Sequence, residues 1–233
     1  MVQNTATEAK PFTPINNLSK WVSWIFLILI VLNLIAILSR YAQAELLKRA
    51  IAGGIITESE ATANDMREAV IGFVQFGLYV TSGILFLIWI HRAYKNLHSI
   101  RADGLRFTPG WAVGWFFVPI MSLFRPYQVV SEIWRASNPK IDLADTTSWQ
   151  TSVSSSVVGW WWAFFLISNF VANIALRTVF SGEELSDLLT STYAYIVSDA
   201  IDVVGILITI LMVRRIGQFQ ETKHTLIKMS LGD

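Results

Sequence analysis

Four runs of this 233-residue chain, residues 21–39, 70–90, 157–176 and 193–213, together hold 81 residues and only two charged side chains, Asp199 and Asp202. Each run has about the 20 residues that an α-helix needs to cross roughly 30 Å of hydrocarbon. Without water every backbone N–H and C=O must find a partner inside the protein, so only helices and closed barrels can span. The other 33 charges crowd into the remaining 152 residues. The charged fraction is 15%, against roughly 25% in an ordinary soluble domain. The expectation is an all-α integral membrane protein with four transmembrane helices. The absence of cysteine excludes disulfides, thiolate metal sites and Cys nucleophiles.

Lys and Arg set the orientation. With the N-terminus inside, thirteen cations fall on the cytoplasmic side and five outside, the latter alongside eight acids. Residues 111–124 (WAVGWFFVPIMSLF) are apolar but only fourteen long, short for a span. If they crossed, the count would become seven inside against eleven outside. They are therefore expected to be a re-entrant or interfacial segment entering and leaving on the cytoplasmic side, broken at Pro109, Gly110, Gly114 and Pro119. All ten tryptophans then lie at inner span ends or in the cytoplasmic loop 91–156, as expected of an aromatic belt or of a binding surface at the inner leaflet. The domain reading is a cytoplasmic segment 1–20, a four-span domain 21–213 and a cytoplasmic tail 214–233.

Outside the membrane the first hairpin continues as helix. Gly53-Gly54 breaks it, and Thr57-x-x-Glu60 has the form of a capping box that opens the next helix.

Charges and amides at membrane depth are costly and mark function or packing. Asp199 and Asp202 stand three apart, hence on one helical face, at depths on the order of 9 and 14 Å. Asn169, Asn173 and Arg177 follow at i, i+4 and i+8 on the third span, and Asn33 and Gln75 reach similar depths on the first and second. Two readings stay open: a water-accessible site for a cation, protons or a polar headgroup, or a packing network contributing about 0.6 kcal/mol or slightly more per contact. His91 and His98 stand about 10 Å apart along their helix, too far to share a metal. No phosphate-binding loop, nucleophile elbow, zinc or dinucleotide motif occurs. No metal, cofactor or nucleic-acid partner is expected.

The least generic stretch reads W-I-H-R-A-Y-K-N-L (89–97), then F-T-P-G-W-A-V-G-W-F-F-V-P-I-M-S-L-F-R-P-Y-Q-V-V-S-E-I-W-R-A-S (107–137). Pro126 suits a first helical turn. Residues 126–136 place Val129, Val130, Ile133 and Trp134 opposite Gln128, Glu132 and Arg135, as an in-plane amphipathic helix would. The candidate interfacial residues are Trp89, Arg92, Tyr94, Asn96, Pro109, Trp111, Trp115, Pro119, Arg125, Pro126, Trp134 and Arg135. Over these residues other than Arg125, with Ala93, Gly110, Ala112, Gly114, Phe116, Ile120, Glu132 and Ser137, the chain resembles the bacterial membrane family called domain of unknown function 4328. The resemblance implies a bacterial multi-span protein and supplies no activity or catalytic residue; the expected location is the inner membrane.

The sequence thus favours a non-enzymatic binding, assembly or accessory protein at the inner leaflet. Membrane lipids are its partners, with a second membrane protein or further copies of itself possible. The alternative is a small transporter or channel using the intramembrane polar residues.

Overall fold

The computed structural model describes residues 11–181 and 184–231, so the first ten residues of the N-terminal segment and the last two of the tail lie outside the described residues. Every regular element among them is helical: α1 (Asn16–Ile51), α2 (Glu58–Ser99), α3 (Pro109–Gly114), α4 (Arg125–Ser137), α5 (Ser156–Ser181) and α6 (Leu185–Leu231), with 3-10 turns at Met121–Leu123 and Ser148–Thr151. The fold is all-α. Four of the helices are long and apolar enough to cross a membrane, and they carry the four expected runs.

The chain divides into two compact units. A loop-bearing unit comprises Met1–Val22, Leu85–Gly159 and Leu211–Asp233, and a hairpin-bearing unit comprises Ser23–Ile84 and Trp160–Ile210. Helices α1, α2 and α6 run well past their apolar stretches.

In the hairpin-bearing unit α1 stops at the Gly53-Gly54 break, where Gly53 takes a φ of +79° that a side chain would strain. The capping box forms as read: Thr57 N–H donates to Glu60 Oε2 at 3.0 Å and Glu60 N–H to Thr57 Oγ1 at 3.2 Å. Arg49 closes it from α1, 3.1 Å from Glu60 Oε1. The Thr57 N–H, then the Arg49 guanidinium, hold the exposed Glu60 carboxyl below its usual range.

The loop-bearing unit is knit by buried polar side chains. Asn96 grips the extended residues 11–15 at Thr13, accepting from its N–H at 3.1 Å and donating to its C=O at 2.8 Å, as one rung of a sheet would. Residues 214–231 continue α6 to its end. Ile216, Gln220, Lys223 and Ile227, spaced by three or four, form its buried face. Gly217 permits a close approach: a Cβ there would stand 2.9 Å from Ser19 Oγ, the hydroxyl that accepts from Trp89 Nε1.

Helix α4 has the expected bounds, with Pro126 in its first turn, but its surroundings differ from an in-plane surface helix. Val129 through Trp134 are all buried, Glu132 included at 1% exposure. The side that the helical wheel assigns to water instead meets Tyr94 and the backbone at Arg106.

Candidate functional site

Two constellations collect the sequence-derived candidates, one in each unit.

In the hairpin-bearing unit, Asn33 and Arg40 of α1 stand seven apart, Gln75 and Tyr79 of α2 four apart, and Asp199 and Asp202 of α6 three apart, so each pair shares a helix face. Arg40 Nη1 pairs with Asp199 Oδ2, and Arg40 Nη2 donates to Gln75 Oε1 at 3.4 Å. Gln75 Nε2 donates to Asn33 Oδ1 at 3.0 Å and to Asp199 Oδ1 at 3.4 Å. Asn33 Nδ2 donates to Tyr79 Oη at 3.1 Å, and the Tyr79 hydroxyl donates onward to Asp202 Oδ2 at 2.7 Å. Ser168 of α5 donates to Asp202 Oδ1. Arg40 also lies 5.2 Å from the Tyr195 ring centroid, within cation–π range.

All four carboxylate oxygens of the two acids therefore have a donor from the protein. Asn33, Gln75 and Asp199 are buried. The structure brings together Asn33, Gln75, Asp199 and Asp202 from the expected set and adds Arg40, Tyr79 and Ser168. Asn169, Asn173 and Arg177 lie on the exposed side of α5. There the Asn169 amide donates to Phe165 O at 2.7 Å and the Asn173 amide to Asn169 O at 2.8 Å, each bonding back along its own helix. Among the described residues no group of His, Asp and Glu is arranged to hold a metal.

In the loop-bearing unit the expected interfacial residues split into buried anchors and an exposed rim. Trp89, Tyr94, Asn96, Pro126 and Trp134 are buried. Glu132 Oε1 accepts from the Tyr94 hydroxyl at 2.7 Å and from Arg106 N–H at 2.8 Å, while Tyr94 Oη accepts from Phe107 N–H at 2.9 Å. One buried carboxylate and one phenol thus fix the chain where it leaves α2. Burial and the adjacent Glu132 push the Tyr94 phenol well above its usual pKa, which keeps it a donor. Asn96 extends the network through Gln220 Oε1 at 3.1 Å, and Gln220 donates to Ala93 O and Ser137 Oγ. Trp134 packs edge-on against Phe219. Arg135 donates to Ser131 O and Gln150 O and covers the Trp149 ring, so it serves to fold the loop on itself.

The rim is residues 111–124. Pro109 opens α3, which Thr108 caps through Trp111 N–H, and the Trp111 ring lies 4.7 Å from that of Trp115, tilted by 33°. Arg125 lies over the rings of Trp115 and Phe107 and donates to Gln128 Oε1. Beyond α3 the chain makes a tight turn in which Met121 N–H donates to Pro119 O at 2.7 Å. Ile120, at its apex, has a φ of +66°. That is a γ-turn of the rare strained form, and strain of about 1–3 kcal/mol at a β-branched residue persists only where the surroundings impose it. Ile120 and Phe117 are each 70% exposed, and Trp111, Leu123 and Phe124 are also exposed. Arg92 is exposed on α2.

Lys223 was not a sequence candidate, because a lysine near a chain end reads as solvated. It is 3% exposed, and its ammonium donates to Ala136 O at 2.9 Å, one of the carbonyls left without a partner at the C-terminus of α4. Burial pulls its pKa down to about 8. In the folded state the amine thus releases its proton before the unfolded chain does. Between about pH 8 and 10.5 the unfolded state binds more protons, so stability rises with pH across that window. Raising the pH from 7 to 10 will stabilise the wild type relative to Lys223→Met by on the order of 2 kcal/mol. Denaturation midpoints of the two proteins at both pH values check this; parallel pH dependence overturns it.

The model of the family described as Domain of unknown function (DUF4328) matches residues 52–218. No curated protein and no solved structure matches the chain.

Proposed function

The chain belongs to the domain of unknown function 4328 family, and from that premise we propose a non-enzymatic binding or assembly protein of the bacterial inner membrane. In this proposal both termini are cytoplasmic and residues 111–124 seat in the inner leaflet. The observation that carries the proposal is the contrast within the loop: Tyr94, Asn96 and Glu132 are buried and bonded, while Trp111, Phe117, Ile120 and Phe124 are held out to the surroundings. Apolar surface presented in this way marks a membrane or protein contact. Trp at its edge suits the headgroup level, and the broken backbone suits a segment that enters and leaves on one side.

The polar cluster supports packing rather than transport, because the donors from neighbouring helices already occupy both carboxylates. The loop is then the part of the molecule that meets lipid headgroups and a partner, at a depth set by its anchors.

Because the chain has no cysteine, single cysteines report cleanly. In membrane vesicles, Ser59→Cys will label with an impermeant maleimide from the periplasmic side, and Ser148→Cys and Ser230→Cys from the cytoplasmic side. A spin label at Phe117→Cys will be relaxed by oxygen rather than by an aqueous nickel chelate. Periplasmic labelling at residue 148, or preferential relaxation by the chelate at residue 117, overturns the proposal.

A further inference from the structure

Helix α5 carries polar side chains where a spanning helix should carry none. Asn169 and Asn173 lie within the apolar run 157–176, one turn apart, and both are exposed. Amides at membrane depth are costly against lipid, and such residues ordinarily face a protein neighbour. Among the described residues none meets them across helices: each makes its bond to a carbonyl four residues earlier on α5 itself. The apolar stretches of α5 and α2 are each only 17% buried within the chain, against 44% for those of α1 and α6, and the exposed amides are what set α5 apart from α2. Phe170, beside them, is 68% exposed.

From this we infer that α5 is an interface between two copies of this chain, with Asn169 and Asn173 bonding across it. An amide has two N–H donors and one acceptor oxygen, and the bond within the helix uses only one donor. It is thus complementary to itself, as a two-fold contact between identical surfaces requires. The exposed side of α5 within the span holds no charge that would call for a partner of opposite sign. Arg177, next on the stripe, stands at the aqueous end, where ions screen one copy from the other.

The test uses the full chain in vesicles of phosphatidylethanolamine and phosphatidylglycerol, labelled at Ser230→Cys for single-molecule photobleaching. Wild-type protein will bleach in two steps, in a proportion that rises with protein-to-lipid ratio. Asn169→Leu with Asn173→Leu will weaken that association at least about tenfold. Separately, Phe170→Cys in the otherwise wild-type chain will cross-link to a second copy under copper phenanthroline, and Ile84→Cys, on the exposed side of α2, will not. Single-step bleaching of the wild type at every ratio overturns the inference. So does undiminished pairing of a folded double variant, equal cross-linking from α2, or an adduct in native membranes to a protein of different mass. The cross-link decides the matter if the double variant does not fold.

Discussion

Replacing Arg40 by leucine will destabilise the helix bundle by on the order of 3–5 kcal/mol, the usual cost of removing one partner from a buried ion pair. Arg40 is 13% exposed and Asp199 8% at their side chains, so little solvent can substitute for the lost guanidinium. Gln75 remains as a donor to Asp199 but carries no charge. Exchanging both partners for apolar residues, Arg40→Met with Asp199→Leu, will recover most of the loss, because well-packed apolar pairs commonly equal or exceed buried ionic ones. Unfolding in mixed micelles at increasing denaturing detergent measures all three proteins. A loss below about 1 kcal/mol for Arg40→Leu overturns the packing role, and failure of the double exchange to recover stability assigns the charges a task other than cohesion.

The second large effect concerns Glu132. Its carboxylate accepts from Tyr94 and from the Arg106 backbone, so Glu132→Leu strands two donors in the core of the loop-bearing unit. Each stranded buried donor costs about 1–3 kcal/mol, and the stretch between α2 and α3 will become open to protease. Glu132→Gln keeps an oxygen able to accept both bonds and will stay close to wild type. Limited proteolysis between Arg101 and Arg125, with thermal unfolding, separates the two variants. If glutamine proves as damaging as leucine, the negative charge itself is required and the hydrogen bonds alone do not hold the loop.

Much of the architecture could be read from the chain before any coordinates. Span count follows from where charge is absent, the hairpin from Gly53-Gly54 and Thr57-x-x-Glu60, and the ends of α4 from Pro126 and the apolar period. Helix rotation could not be read. In a run such as 157–176 nearly every residue is apolar, so periodicity gives no inward face. Ser168 rather than its neighbour Asn169 meets Asp202 for that reason. Arg40, one residue past the first apolar run, has the place of a flanking cation, although its seven-residue spacing from Asn33 puts both on one face, and Tyr79 stands one turn from Gln75. The buried end of α6 was masked by its charges, since Gln220 and Lys223 occupy places where an apolar residue would have announced a core. The family resemblance located the loop correctly but not its logic: several of the residues that carry it are the buried bonds that hold the loop, not the surface it presents.

Arg40 and Asp199 are also separated in time. Their contact joins residues 159 apart in sequence, and at roughly 5–20 residues per second a ribosome needs on the order of 10–30 s to close that interval. Throughout it the cation of α1 has no acid to match it. Such a wait is tolerable because Arg40 stands at the very end of the apolar run, where a long side chain can reach back to water. The acids lie on α6, the last of the four long helices to be made, and they arrive when Arg40, Gln75, Tyr79 and Ser168 have already been synthesised. The order of synthesis thus puts every donor in the chain ahead of the two acids that need it.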